Sequence, residues 1–177
     1  VVMVSPTFIR NPKQEGSIVY DCIPQTGLCP NGCNQCFYNR PGAFYTDINE
    51  PSVPHPDVLP SGAIVRMNSG HDSNLHRNMV LSVAKLYPQH FFNTSIPRLD
   101  FPGPVVLTVN PKEDTQWHHP PTAGVPANLM FVRIRVSPAN KQLTHDAVRA
   151  WTAKQVPVVL TFMRYYDAAV PVNTWNG

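Results

Sequence analysis

Three closely spaced cysteines are the residues of this sequence best suited to do chemistry. Cys29, Cys33 and Cys36 form a C-x3-C-x2-C pattern directly after an apolar, strand-like segment. Three thiolates this close in sequence can bind one metal centre and leave one position open for a substrate or cofactor. The spacing therefore indicates a reactive metal centre, with iron the metal that suits it.

The remaining cysteine leaves a second interpretation open. Cys22 precedes Cys29 by seven positions and could complete a closed four-cysteine zinc or iron site. A cysteine within a strand is more often a small buried apolar residue. All the cysteines lie between residues 22 and 36, which fits a metal site in a reducing, cytoplasmic compartment better than a disulfide framework.

Composition predicts one domain over residues 1–177, with a real core and long irregular connections. The chain has 20 prolines, which favour ordered loops between short elements. Its net charge of +3 comes from scattered residues, so no nucleic-acid partner is indicated. No apolar run is long enough to span a membrane, and no signal peptide precedes the first strand. The last predicted strand lies close to residue 177, so we expect a missing C-terminal segment.

Hydrophobic patterns predict the elements that position the cysteines. Six strands are expected over residues 17–22, 63–67, 91–96, 105–109, 130–136 and 158–162. Helices are expected over about residues 73–86, capped by Asp72 or Ser73, and about 144–154. No helix of normal length fits between the third and fourth strands. The order still indicates an α/β fold with a mostly parallel sheet, curled toward a barrel or doubly wound.

Polar segments follow the predicted strand ends and should therefore gather on one rim of the sheet. They are residues 29–36, 68–73, 110–114 and 137.

The cysteine motif after the first strand of an alternating β/α chain resembles the radical SAM superfamily. The resemblance implies a partial (β/α)6 barrel in which Cys29, Cys33 and Cys36 hold a 4Fe–4S cluster. It also implies S-adenosylmethionine bound at the open iron and an electron donor such as flavodoxin or ferredoxin. In that family, cleavage of the cofactor yields a 5′-deoxyadenosyl radical that abstracts hydrogen from a substrate, which the sequence does not name.

The aromatic positions of the motif depart from the family pattern. The family commonly has an aromatic residue just before its third cysteine, in contact with the adenine. That position is Gln35 here, and Phe37 and Tyr38 follow the cysteine instead.

The turn after the second strand is the expected cofactor-binding segment. The family has a glycine-rich turn there whose backbone holds the methionine amino group. Residues 68–72 occupy this place, and Gly70 is their only glycine. A glycine allows close approach of the backbone, and Asn68, Ser69 and Asp72 could add acceptors. An ordinary strand-to-helix turn is the alternative.

Further candidates for cofactor binding follow the later strands. By the resemblance, Asn110 would bind the ribose or the methionine carboxylate, with Asn93 and Thr94 as weaker candidates. Arg133 and Arg135 share one face of the fifth strand, and Arg135 could pair with the cofactor carboxylate. The alternatives are strand-end caps and a salt-bridged or solvated face. The histidines His71, His118 and His119 are interpreted as surface or substrate-pocket residues.

Two other functions remain open at this point. One is a non-catalytic zinc- or iron-binding domain that uses all four cysteines, and the other is a small ferredoxin-like electron carrier. A zinc ribbon would more often have two C-x2-C knuckles, which this sequence lacks. The chain also has no P-loop and no nucleophile elbow, so nucleotide hydrolysis and serine catalysis have no support.

Overall fold

The computed structural model describes residues 5, 8–32, 36, 38, 44–109, 119–136 and 140–162. Cys33, Asn110, Ser137 and His118 are therefore outside the described residues. The strands are β1 Val19–Cys22, β2 Ile64–Met67, β3 His90–Thr94, β4 Val105–Val109, β5 Leu129–Val136 and β6 Val158–Phe162. The α-helices of the described part are α1 Arg77–Ala84 and α2 Lys141–Thr152.

The six strands form one curled, all-parallel sheet in the shape of a half-barrel. Their spatial order is β1-β2-β3-β4-β5-β6, so every strand pairs with its neighbours in sequence. This arrangement confirms the predicted α/β class and the mostly parallel sheet. Because all the strands run the same way, their C-terminal ends share one edge of the sheet.

The first helix begins later than predicted. It starts at Arg77, with His76 at its N-cap, and neither Asp72 nor Ser73 caps it. The expected cap was wrong because the Asp72 carboxylate binds the loop after β3 instead. The second helix begins earlier than expected, at Lys141. No helix in the described part is long and apolar enough to cross a membrane.

The connection between β3 and β4 covers the sheet without an α-helix. Its side chains Leu99 and Phe101 are buried in the core. The ring of Phe101 stacks on that of Phe92, with centroids 4.5 Å apart. Nδ2 of Asn128 lies within 2.9–3.1 Å of three carbonyl oxygens of this connection. The segment therefore supplies the apolar cover that a crossover helix would otherwise provide.

The two faces of the sheet differ in polarity. The helix-facing side is apolar, and its core side chains include Met67, Phe92 and Ile134 packed with Val80 and Trp151. Because side chains alternate along a strand, the neighbouring residues point to the opposite side. We call this opposite side the concave face and define it by Asp21, Arg66, Asn93, Thr108 and Arg133.

Candidate functional site

The C-terminal edge of the sheet brings three segments into contact: the cysteine loop (residues 23–63), the glycine turn (residues 68–72) and the loop after β3. The carbonyl oxygen of Gly27 is 3.0 Å from His71 Nε2 of the glycine turn. The Asn31 amide donates to Ser95 Oγ, after β3, at 2.9 Å. The predicted gathering on one rim is thus confirmed for these segments, whereas residues 110–114 and 137 lie outside the described part.

The two described cysteines of the motif lie beside one tyrosine. Cys29 is buried and Cys36 is half-buried. Burial, together with a smaller effect of Cys29 and Cys36, raises the pKa of Tyr38 to about 12. Among the described residues, which do not include Cys33, no three His, Cys, Asp or Glu side chains form a metal-binding group. Two of the three predicted ligands thus lie within electrostatic range of the Tyr38 hydroxyl.

Cys22 belongs to the apolar core. Its side chain is fully buried among the core residues of the helix-facing side. It is hydrogen-bonded to Tyr87, and burial raises the pKa of its thiol to about 12. Metal ligation requires a thiolate, which this environment disfavours. The surroundings of Cys22 therefore match the interpretation as a small buried apolar residue.

Gly70 lies directly under the ring of Tyr38. Its φ of +87° belongs to the left-handed region, and a Cβ atom there would lie 2.5 Å from Cδ2 and Cε2 of Tyr38. The same ring packs against His71, with centroids 4.6 Å apart, and Phe44, with centroids 4.7 Å apart. Its hydroxyl donates to the Gly27 carbonyl at 3.2 Å. A glycine is thus required at this position by backbone conformation and by a contact with the cysteine loop.

The glycine turn contains two buried acceptors that have no donor among the residues that the structure describes. Asn68 is fully buried, and its amide nitrogen donates to Gln25 Oε1 and to the Asp72 carbonyl, each at 3.1 Å. Its Oδ1 has no partner among the described residues. Leaving a buried acceptor unpaired costs about 1–3 kcal/mol.

The second acceptor is a ring nitrogen of His71. Burial lowers the pKa of this histidine, which favours the neutral ring. Since the Gly27 carbonyl can only accept, Nε2 carries the proton, and Nδ1 keeps its lone pair. Nδ1 is buried and has no partner within the described part of the chain.

Asp72 ties the glycine turn to the loop after β3. Its Oδ1 accepts from Thr94 Oγ1 at 2.7 Å and from the Asn74 backbone at 3.0 Å. Its Oδ2 accepts from the backbone and the hydroxyl of Ser95, at 2.6 and 2.9 Å, and from the Ile96 backbone at 3.3 Å. This carboxylate is saturated by bonds within the protein, so we assign it a positioning role.

The other polar candidates near the turn are also bonded within the protein. Ser69 Oγ accepts from Arg66 at 2.9 Å. The Asn93 amide donates to the Met67 carbonyl at 2.9 Å, and its Oδ1 is buried without a partner in the described residues. Arg135 is half-buried and is the register partner of Thr161. His119 is exposed, as expected for a surface histidine.

The concave face carries an ion pair that sequence analysis missed. Arg66 Nε donates to Asp21 Oδ1 at 2.7 Å, and Arg66 Nη2 donates to Asp21 Oδ2 at 2.9 Å. Tyr45 and Asn11 also donate to Oδ2, at 2.9 and 3.1 Å. Burial alone would raise the pKa of Asp21, but Arg66 and these donors lower it overall. The only indication of this ion pair in the sequence is a single charged residue in each of two otherwise apolar strands.

Arg133 lies on the concave face near this pair. It is half-buried, and its guanidinium carbon is 5.9 Å from the centroid of the Phe131 ring. Burial lowers the pKa of Arg133, and the charge of Arg66 lowers it further, while Asp21 opposes both effects. The concave face therefore has more positive than negative charge near Arg133.

No family model matches the chain, and no curated protein or solved structure is significantly similar to it.

Proposed function

We propose that this protein is a radical SAM enzyme, with Cys29, Cys33 and Cys36 as the thiolate ligands of a 4Fe–4S cluster. When bound, such a cluster supplies an electron that cleaves S-adenosylmethionine, and the resulting carbon radical removes hydrogen from a substrate. The observation that carries the proposal is the contact between the cysteine loop and the glycine turn. Both lie at the C-terminal edge of a curled parallel sheet.

The surroundings of the described cysteines suit a bound cluster. Cys29 and Cys36 lie beside the same ring, so their thiolates can serve one centre. Tyr38 is fixed by its bond to the Gly27 carbonyl and by its packing on Gly70. The ring thereby holds the cysteine loop at a constant position relative to the glycine turn.

The glycine turn suits the methionine end of S-adenosylmethionine. An ammonium group has three N–H donors and no acceptor, which suits acceptors such as Asn68 Oδ1 and His71 Nδ1, neither of which has a partner among the described residues. Ser69 and Asp72 position the turn through Arg66 and the loop after β3. Asn68 is thus the strongest of the turn residues for direct contact, and His71 is added to the candidates.

The remaining parts of the proposal follow from the resemblance. Arg135 would pair with the cofactor carboxylate, and Asn110 would bind the ribose or the same carboxylate. The curled sheet corresponds in strand number to a partial (β/α)6 barrel of the radical SAM type. A flavodoxin or ferredoxin would supply the electron, in a reducing, cytoplasmic location.

The four-cysteine alternative has less support. A closed zinc site would need the Cys22 thiolate, and this side chain is buried in the core in contact with Tyr87. An electron carrier would not need the unpaired acceptors of the glycine turn.

Iron binding tests the proposal. After anaerobic reconstitution with iron and sulfide, we expect a brown protein with about four irons per chain. Replacing Cys29, Cys33 or Cys36 by Ala should abolish this, because each variant loses one thiolate ligand. Cys22→Ala is the matched control and should retain the iron. Tight stoichiometric zinc that requires Cys22 would overturn the proposal.

A further inference from the structure

The concave face contains a cation, Arg133, that forms no ion pair within the described part of the chain. The carboxylate of Asp21 is bound by the guanidinium of Arg66 through two hydrogen bonds. Within the described part of the chain, Arg133 has neither a hydrogen bond nor an ion pair, and its contact is with the ring of Phe131. Withdrawing a charge from water without a partner is unfavourable. This arrangement therefore favours an external anion.

We propose that Arg133, on the concave face that it shares with Arg66, binds an anionic oxygen group of the substrate, a carboxylate or a phosphate. This inference rests on the proposed function, because the anion belongs to a substrate only if the protein is an enzyme. Binding of the anion itself is independent of iron and can be measured without a cluster.

The chemistry of Arg133 suits such a group, whereas the fork of Arg66 is already occupied by Asp21. A guanidinium presents a planar fork that binds a carboxylate or a phosphate through two parallel hydrogen bonds. An arginine also remains protonated in a half-buried site, so the charge is kept. Thr108, the register partner of Arg133 on β4, is half-buried on the same face and carries a hydroxyl donor.

Arg66 is fixed in advance of binding. Asp21 holds it from one side, and Ser69 Oγ accepts from it at 2.9 Å. Tyr45 and Asn11 in turn hold the Asp21 carboxylate. Arg66 therefore loses little conformational entropy when an anion binds. The Arg133 side chain, in contrast, must become ordered.

The location also relates the anion to the glycine turn. Arg66 precedes this turn by two residues and contacts Ser69 within it. An anion near Arg66 and Arg133 would hold a substrate on the concave face, adjacent to the edge where the cysteine loop lies.

Nitrogen-15 NMR of arginine side chains provides the test. Inorganic phosphate and acetate, titrated separately into the full chain, should each shift the Arg133 Nε–Hε signal in a saturable way. Calorimetry then compares the affinities of the variants, because the Arg133 signal is absent from them. Arg133→Gln should weaken the affinity by about tenfold or more, and Arg133→Lys by less, since lysine keeps the charge but not the fork. Arg149→Gln is the matched control, because it removes the same charge from an exposed position on α2.

Three results would overturn the inference. The first is no saturable shift with either probe, and the second is an equal loss of affinity in Arg149→Gln. The third is the same shift produced by S-adenosylmethionine, which would assign Arg133 to the cofactor carboxylate. A protein that binds phosphate at Arg133 but no iron would contradict the proposed function and would leave the anion site in place.

Discussion

The ring of Tyr38 occupies the space that a side chain at Gly70 would need. A Cβ atom on Gly70 would lie 2.5 Å from two ring carbons, well inside contact distance. Tyr38 follows the third cysteine of the motif, and Gly70 lies at the centre of the glycine turn. The segment that carries the candidate metal ligands is thus in direct contact with the candidate cofactor-binding turn. A substitution in one of them should therefore alter the structure of the other.

Gly70→Ala should therefore destabilise the protein more than its backbone conformation alone requires. Left-handed backbone costs a non-glycine residue about 1–2 kcal/mol, and the clash with Tyr38 adds to this. Urea unfolding would measure the loss. Gly62→Ala is the control, because Gly62 has a similar φ of +81° and nothing within 4 Å of its Cβ position.

A double-mutant cycle would isolate the contact. In a Tyr38→Ala background, the cost of Gly70→Ala should fall toward the cost of Gly62→Ala, since the closest remaining ring atom is Phe44 Cζ, 3.1 Å from the Cβ position. Equal costs for the two glycine substitutions in the parent protein would show that the contact is not tight.

Asp72→Asn should destabilise the connection between the glycine turn and the loop after β3. An amide keeps one acceptor oxygen, but it presents an NH2 group to the donors of Ser95 and Ile96. We expect the free energy of unfolding to fall by about 2 kcal/mol. Asp57→Asn is the control, because the Asp57 side chain is 89% exposed. Equal effects of the two substitutions would contradict a positioning role for Asp72.

The stability of the protein should depend on pH through His71. Its pKa is lowered in the folded state, so below the ordinary value of 6.5 the unfolded chain binds more protons than the folded one. The free energy of unfolding should therefore rise with pH between the folded pKa and 6.5. Unfolding titrations across this window would measure the slope.

His71→Gln should flatten that slope, because glutamine does not titrate. His145→Gln, at an exposed position on α2, should leave it unchanged. A slope that persists in His71→Gln would mean that another group gives rise to it.

The strands were predictable, whereas the contacts between loops were not. Alternating or continuous apolar residues identify all six strands. Strands β1 to β5 bury apolar side chains in the sheet, whereas Val159, Leu160 and Phe162 of β6 are exposed. The start of α1 was misplaced because Asp72 resembles a helix cap in sequence, and only the folded chain brings Ser95 to its carboxylate. Local patterns contain no information about such a distant partner.

The same limit applies to the candidate site. The cysteine spacing is a local feature, so the sequence predicts it directly. The same holds for the position of the glycine turn. The ion pair of Asp21 and Arg66 depends on the register of β1 against β2. The contact of Tyr38 with Gly70 depends on the path of the cysteine loop, and no periodic pattern in the sequence predicts that path.

We propose that the cysteine motif supports reductive cleavage of S-adenosylmethionine. The most direct measurement is chromatography of an anaerobic dithionite reaction of the reconstituted protein with this cofactor. We predict that 5′-deoxyadenosine forms slowly without a substrate, and that a Cys36→Ala protein treated in the same way forms none. A reduced protein with a complete cluster that binds S-adenosylmethionine but never cleaves it would contradict the account.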